Sequence, residues 1–264
     1  VKEEAWQLRI VKRSLKKRAR LKLLRQSILF RPSRVALDLG CAQGIISYFV
    51  RQKGGFWISG DNDLANLKTA EQVLGKGLVQ LSGEALPFPD RAFDLVVCLD
   101  YLEHVENDDR VLEETARVLR PGGQFILDTP HTGEFFLLHK LRSALGLKLE
   151  DFGHKREGYA AKNLRAKLER VRLHQVKIVT YSRFFSEFLE LIVNLVYMKI
   201  LAPGPAESRR DGHIRPSSLE EFNAHKKSFA VYAWLYPLVW LISRLDTLLF
   251  FLRGYSLMIW ARKI

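Results

Sequence analysis

The stretch Val35-Ala36-Leu37-Asp38-Leu39-Gly40-Cys41-Ala42-Gln43-Gly44 decides the fold. Small and apolar residues run into a carboxylate, then two glycines, then the apolar start of a helix at Ile45. Such a run reads as a buried strand ending in a tight turn that hands the chain to a helix N-terminus. Glycine permits positive φ and lets a ligand approach the backbone where a Cβ would collide. Strand, glycine turn and helix together form the ligand-side corner of a doubly wound α/β sheet. The spacing is not Gly-x-Gly-x-x-Gly and no Lys-Ser/Thr pair follows, so this stretch alone does not name the ligand.

The residues downstream repeat the pattern. A helix continues over 45–51, and a second strand over 56–60 ends in Asp61-Asn62-Asp63, where Asp63 is placed to cap a helix over 64–74. A short third strand spans 78–81, and the loop that follows it carries Pro87 and Pro89. Residues 93–99 are almost continuously apolar, as a strand covered on both faces should be. Asn107 or Asp108 caps a helix with Val111, Leu112, Thr115, Val118 and Leu119 on its apolar side, and Arg120-Pro121-Gly122-Gly123 stops it before a fifth strand at 124–128. This alternation requires a parallel sheet with right-handed crossovers. Beyond residue 130, helices are expected over 134–146 and 160–171, and strands over 175–181 and 255–261.

Upstream, residues 1–28 read as one helix with Leu8, Val11, Leu15, Ala19 and Leu23 on a stripe. Its coat is basic: Arg9, Lys12, Arg13, Lys16, Lys17, Arg18, Arg20, Lys22 and Arg25. Such a helix suits an anionic membrane surface or nucleic-acid phosphates, or is a solvated leader packed on the domain. The net charge of +13 over 264 residues points the same way, to an anionic partner. Apolar content near half the chain excludes a disordered protein. Cys41 and Cys98 both fall in strand contexts and read as buried reduced thiols of a cytoplasmic protein rather than a disulfide or metal pair. The first residues are charged with no apolar run after them, the pattern expected of a chain without a secretory signal.

Two apolar stretches stand apart. Residues 184–202 carry Glu187, Glu190 and Lys199; residues 229–252 are broken by Pro237, Arg244 and Asp246. Neither offers the ~20 uncharged residues of a spanning helix, although the second comes close. Between them 203–227 reads as a flexible loop. A soluble monomer does not leave such apolar surface bare, so a membrane, a lipid substrate or a partner subunit is expected on it. The expected organisation is a basic amphipathic helix over 1–30, a ligand-binding domain over 31–181 plus 254–264, and an apolar helical insertion over 182–253.

Three stretches, in order, carry a resemblance: Asp38-Leu39-Gly40-Cys41-Ala42-Gln43-Gly44; Glu84-Ala85-Leu86-Pro87-Phe88 with Phe93-Asp94-Leu95-Val96; and Leu102-Glu103-His104-Val105 with Arg117-Val118-Leu119-Arg120-Pro121-Gly122-Gly123. Together they resemble the class I S-adenosylmethionine-dependent methyltransferases, in the branch that includes small-molecule and quinone methylases. The likeness covers residues 33–130. It implies an α/β, Rossmann-like, seven-stranded, mostly parallel sheet whose last strand is antiparallel, with 175–181 and 255–261 as the sixth and seventh strands. It implies S-adenosylmethionine as cofactor and methyl transfer to a hydroxyl, carbon or amine of a hydrophobic or lipid-linked small molecule. With the basic helix and apolar insertion, the expected setting is peripheral, on the inner face of the cell membrane. An RNA methyltransferase and a non-catalytic binding protein of this fold are the alternatives. The lack of aromatic-basic interleaving argues against nucleic acid; a homo-oligomer stays open.

The resemblance also implies roles. Asp38, Gly40, Cys41 and Gly44 would face the methionine part of the cofactor, Asp61 and Asn62 its ribose, and Ser82, Gly83 and Glu84 its adenine. Leu99 and Asp100 would lie beside it. Ala42 stands where the family usually has glycine, and Ser82 where an aspartate often reaches the adenine amino group. The segment Phe152-Gly153-His154-Lys155-Arg156 is similar to a Gly-His-x-Arg segment that covers the acceptor pocket in related enzymes. His104, His131 and His154 are therefore candidates for a base or an acceptor contact. Asp100-x-x-Glu103-His104 matches the acid-x-x-Glu-His set that holds a divalent metal in some quinone and RNA methylases, a hydrogen-bonded structural pair being the alternative. No metal ligand is assigned from sequence.

Overall fold

The computed structural model of the protein describes residues 5–29, 31–132, 137–196 and 219–264. Strand β1 (Val35–Leu39) is buried from Ala36 onward, as its apolar run requires. Strands β2 (Phe56–Asp61), β3 (Leu78–Gln80) and β4 (Phe93–Leu99) pair parallel around it. Helices α3 (Ile45–Arg51), α4 (Leu64–Leu74) and α5 (Asp108–Val118) connect these strands in chain order. Asp63 and Asn107 cap α4 and α5, accepting from Ala65 N–H and Arg110 N–H. Strand β5 (Leu119–Pro130) extends the parallel set, and β7 (Ser256–Lys263) lies antiparallel between β5 and β6 (Leu173–Tyr181). The sheet has seven strands in the order β3-β2-β1-β4-β5-β7-β6. Connections diverge to either side between β1 and β4, so their C-terminal ends flank a crevice where such sheets take ligands.

Alternation along the strands divides the core. Leu37, Leu39, Val96, Cys98, Phe125 and Leu127 face one layer with Leu112 of α5 and with Leu164 and Leu168 of α7 (Ala161–Arg170). Ala36, Leu95, Val97, Ile126, Met258 and Trp260 face the other, closed by Val50 of α3 and by Leu24 and Ile28 at the N-terminal end of the chain. Full burial of each such aliphatic side chain contributes about 2 kcal/mol.

That N-terminal segment departs from the single helix expected. It forms α1 (Trp6–Val11) and α2 (Leu15–Ser27), with Ser14 accepting from Lys17 N–H at 3.3 Å to start the second. Residues 1–4 lie outside the described residues. The inward side carries Ile10, Ser14, Arg20, Leu21, Leu24 and Ile28, whereas Leu8, Leu15, Ala19 and Leu23 are only half-buried. The sheet selects the side that presents Leu24 and Ile28 to it, and this turns Arg20 inward.

The remaining helices are α6 (Leu137–Ala144), α8 (Phe184–Val196), α9 (Leu219–Ala224) and α10 (Lys226–Ser243), the last followed by a 3-10 turn at Arg244–Thr247. The start of the 134–146 helix, the end of the 184–202 stretch and most of the 203–227 loop fall outside the described residues. Where that loop is described it is helical, in α9 and the start of α10. Pro237 does not end α10: the helix runs through it, although it removes one i→i−4 hydrogen bond and its ring crowds the carbonyl of Ala233. Arg244 and Asp246 do mark the end of the α-helix.

Candidate functional site

A cavity of about 310 Å³ opens at the C-terminal ends of β1 and β4. Asp38, Gly40, Cys41, Ala42 and Gln43 form one wall, and Leu99, Asp100, Glu103 and His104 the next. The roof comes from Ile10, Ser14, Lys16, Lys17 and Arg20 on the N-terminal helices and from Glu187, Glu190 and Asn194 on α8. His139, Arg142, Phe152 and His154 close the side.

The β1 turn is pinned to the end of β2. Gly40 N–H and Cys41 N–H both donate to Gly60 O, at 2.9 and 3.0 Å. Ala42 N–H donates to Asp61 Oδ2 at 2.8 Å, which holds Ala42 at a φ of 45° in the left-handed region. Asp38 is buried and accepts from Ser59 Oγ at 3.1 Å, while Arg51 Nη2 donates to the same serine at 2.9 Å. Burial pushes the Asp38 carboxyl up, so a cationic ligand group beside it gains strongly. Cys41 and Cys98 are buried thiols, raised chiefly by desolvation, and are inert as nucleophiles at neutral pH. Gly44 lies outside the cavity lining, as the left-handed N-cap of α3.

Asp61 is heavily used by the protein. Besides Ala42, its carboxylate accepts from Asp63 N–H at 3.0 Å and Asn66 Nδ2 at 3.3 Å. A carboxylate has about four lone-pair sites, so these bonds leave roughly one for a ligand. Asn62 is exposed, and its carbonyl accepts from Gln80. Ser82 Oγ accepts from Glu84 N–H, and the Glu84 carboxylate accepts from Asn107 N–H at 3.2 Å. None of Asp61, Asn62, Ser82, Gly83 and Glu84 lines the cavity. Tyr101 stands between: a Cβ on Gly40 would fall 2.5 Å from its ring, one on Gly83 would fall 2.7 Å from it, and Gly83 N–H donates to its hydroxyl at 3.0 Å. Burial pushes that phenol up to about 12, so it is a neutral wedge.

Asp100 is bound to the roof. Arg20 Nη2 lies 2.6 Å from its Oδ2, and the same guanidinium contacts Asp128 through Nε and donates to the Tyr181 hydroxyl at 3.2 Å. Tyr181 in turn donates to Asp128. Burial alone would raise the Asp100 carboxyl, but Arg20 and then Lys16 outweigh it and hold it well below the usual range. Burial also pushes Asp128 up, against the pull of Arg20. Asp100 itself has a φ of 48°, and its N–H donates to Asp128 O at 2.8 Å. Backbone strain of this kind gathers at functional sites.

Glu103, His104 and His154 come together instead, with donor atoms all within 4.8 Å of one another. Glu103 is fully buried; its Oε2 accepts from Thr129 Oγ1 at 3.1 Å, and its Oε1 has no hydrogen-bond partner among the described residues. Burial, reinforced by Asp100, pushes Glu103 up to about 8. His104 Nδ1 lies 3.0 Å from Gly153 O, which makes Nδ1–H the donor and leaves the Nε2 lone pair available. The two imidazoles meet edge to face at 4.8 Å. Burial, then His104, pushes His154 down to about 3. The segment Phe152–Arg156 is strapped over this cluster by Lys155 N–H to Glu103 O at 2.7 Å and Arg156 to Leu102 O at 2.8 Å. His131 lies outside the cavity lining, buried with Nδ1 2.9 Å from Gly254 O.

The site residues that sequence reading passed over are Arg20, Lys16, Lys17, Tyr101, Arg142, Glu187 and Glu190. The last two lie in a stretch read as apolar surface, yet α8 turns them inward, and Glu187 pairs with Arg142 at 2.9 Å. An i, i+4 check from Leu24 and Ile28 would have put Arg20 on the buried side.

Residues 37–127 match the model of a family described as "Methyltransferase domain". A ubiquinone biosynthesis O-methyltransferase of Parvibaculum lavamentivorans is 34% identical over 98 residues, covering 35% of this chain and 39% of that one. The ubiquinone/menaquinone biosynthesis C-methyltransferase UbiE of Shewanella piezotolerans is 33% identical over 107 residues, covering 37% and 43%. The chain thus spans about two fifths of these relatives' length. Among solved structures, an S-adenosylmethionine-dependent methyltransferase from Archaeoglobus fulgidus superposes with a TM-score of 0.56 at 17% identity, over 93% of this chain and 94% of the other.

Proposed function

We infer that this chain, which carries a class I S-adenosylmethionine-dependent methyltransferase domain, moves a methyl group to a hydroxyl, carbon or amine of a hydrophobic or lipid-linked small molecule. The observation that carries this reading is the cavity between β1 and β4, whose lining includes both Asp38 with the Gly40 turn and Glu103, His104 and His154. S-adenosylmethionine supplies a methyl on a sulfonium, so transfer is an in-line displacement governed by approach and exclusion of water.

The chain's own residues suit that task. The buried Asp38 carboxylate supports an ammonium group, and the close approach at Gly40 supports a backbone-seated ligand. Ile10, Leu99 and Phe152 supply apolar lining, and α2 and α8 contribute the cover above. His104 keeps a free Nε2 fixed by its bond to Gly153 O, the form in which an imidazole accepts a proton from an acceptor hydroxyl. His154, pushed down to about 3, is a much weaker proton acceptor and serves as lining beside His104. The relatives are named for O- and C-methylation, so the likeness supports a prenylated ring as acceptor without choosing the atom.

As an alternative to His104 acting as a base, Glu103, His104 and His154, rather than the spacing-based set with Asp100, would be the donors for a divalent cation, because Asp100 is committed to Arg20. The orphaned Glu103 Oε1 and the fixed His104 tautomer support this set. An ion there would draw a proton from an acceptor hydroxyl by lowering its pKa.

Calorimetry with S-adenosylmethionine tests the first step. Binding is expected for the wild type and its loss for Asp38→Ala; wild-type protein that does not bind refutes the reading. Incubating the chain with a lipid extract and methyl-labelled cofactor, then weighing the product, identifies the acceptor.

A further inference from the structure

One side of α10 is bare and apolar. Val231, Trp234, Leu238 and Leu241 are 59, 80, 57 and 60% exposed, at spacings that place them on one helical face. Leu248 and Phe250, 67 and 78% exposed, carry the apolar surface on past the 3-10 turn. The opposite side of α10 is held by the N-terminal helices. Tyr232 donates to Arg13 O and Arg18 Nη1 donates to the Tyr236 hydroxyl, each at 2.9 Å, and the Arg13 guanidinium stands over the Phe229 ring at 5.8 Å.

Beside this contact runs a groove of about 440 Å³ lined by Arg9, Lys12, Arg13 and Lys226 over Phe229 and two alanines. Among the described residues no carboxylate lines it, and residues 5–29 contain no acidic side chain at all. Ile10 and Ser14, interleaved with the groove's cations along the chain, line the cavity described above. Groove and cavity therefore back onto each other across the junction of α1 and α2.

We propose that this surface docks on an anionic lipid leaflet with α10 lying in the plane of the interface. Trp234 and Leu238 enter the acyl boundary, and Arg9, Lys12, Arg13 and Lys226 take lipid phosphates. The match of a bare apolar face to a cationic groove is what an anionic leaflet fits and an uncharged apolar partner does not. The stretch Lys226–Thr247 is long and apolar enough to cross a membrane. Crossing would carry Arg13 and Arg18, fixed to the middle of the helix, into hydrocarbon, which is heavily disfavoured. Tyrosine and tryptophan on one helix are also the residues that settle at the interface. Docking in this orientation brings the α1–α2 junction, whose other side lines the cavity, against the leaflet. The proposal deepens the lipid-linked acceptor inferred above and rests on it for its purpose, whereas its test involves no methyl transfer.

The test is flotation of the full chain with vesicles of phosphatidylcholine alone and of phosphatidylcholine mixed with phosphatidylglycerol. The wild type is expected to float with the mixed vesicles, to bind the neutral ones at least about tenfold less, and to be released by salt. Arg9→Gln, Lys12→Gln and Lys226→Gln combined are expected to weaken binding by about a hundredfold. Trp234→Ser with Leu238→Ser is expected to weaken it with the cations intact. Bromine near the headgroup is expected to quench wild-type fluorescence more than bromine near the chain end, with the difference lost in Trp234→Phe. Equal binding to both vesicle types, strongest quenching from the chain end, or a dimer that protects Trp234 without any vesicle binding each overturns the proposal. These wild-type readings stand even where a variant fails to fold.

Discussion

Replacing Arg20 by methionine keeps most of the side chain's bulk and removes the charge that Asp100 and Asp128 share. The two carboxylates respond differently. The Asp100 side chain is 35% exposed and regains water, whereas that of Asp128 is 0% exposed and does not. Asp128 is then driven to bind a proton. From an ordinary carboxylate value near 3.9 to pH 7 is about three units, at roughly 1.4 kcal/mol each, so the loss is at most about 4 kcal/mol, burial already raising Asp128 in the wild type. That matches the roughly 3–5 kcal/mol typical of breaking a buried ion pair from one side. The sign of the pH dependence follows. Burial already raises Asp128 in the wild type and losing Arg20 raises it further, so the variant's folded state is at its best below the unfolded value and loses more ground than the wild type as pH rises. Urea unfolding of wild type and Arg20→Met is expected to differ by up to about 4 kcal/mol at pH 7 and by less at pH 5. Adding Asp128→Asn to the variant is expected to recover much of the loss at pH 7. A loss under about 1 kcal/mol at pH 7, or an equal loss at both pH values, refutes the reasoning.

Other sites give independent expectations. Ala42→Gly relieves a left-handed alanine and is expected to raise stability by up to about 1 kcal/mol in urea melts; no gain would mean the turn is unstrained. Asp108 accepts from Tyr159 at 2.7 Å and from Lys167 at 3.2 Å. Burial would raise its carboxyl, but Tyr159, Lys167 and Arg156 hold it below the ordinary value. Asp108→Asn is therefore expected to cost stability at neutral pH, and the gap to wild type should close as pH falls below about 4, measured by thermal melts across pH. Calorimetric titration with manganese or zinc ions should show one site in the wild type and none in Glu103→Gln; undiminished binding by the variant removes Glu103 from the donor set.

How legible the molecule was depends on where each instruction resides. The β1 turn, the caps Asp63 and Asn107, and the doubly wound sheet are written locally, in apolar runs, glycines and capping side chains. The N-terminal helices are not. Their basic residues cover so much of the circumference that the sheet decides which side is buried, and only contact with Leu95, Val97 and Trp260 picks Leu24 and Ile28. Arg20 follows from that choice. Glu187 and Glu190 read as charges interrupting an apolar stretch because their partners, Arg142 and Ser14, are distant in sequence. Spacing brought Glu103 and His104 together. It could not foresee that Arg20 would draw Asp100 away while the loop after α6 delivered His154.

The Tyr101 wedge bears on rate as well as shape. Its ring packs against Gly40 and its hydroxyl accepts from Gly83 N–H, so it fills the space between the β1 turn and the Ser82–Glu84 loop. A molecule that spanned both would need the ring to swing aside and would bind a minor population of the free protein. An open form about 2 kcal/mol less stable than the closed one would make up roughly 3% of molecules and weaken apparent affinity about thirtyfold. Association would then stop accelerating with ligand concentration and level off at the speed of one side-chain rotation and its backbone bond.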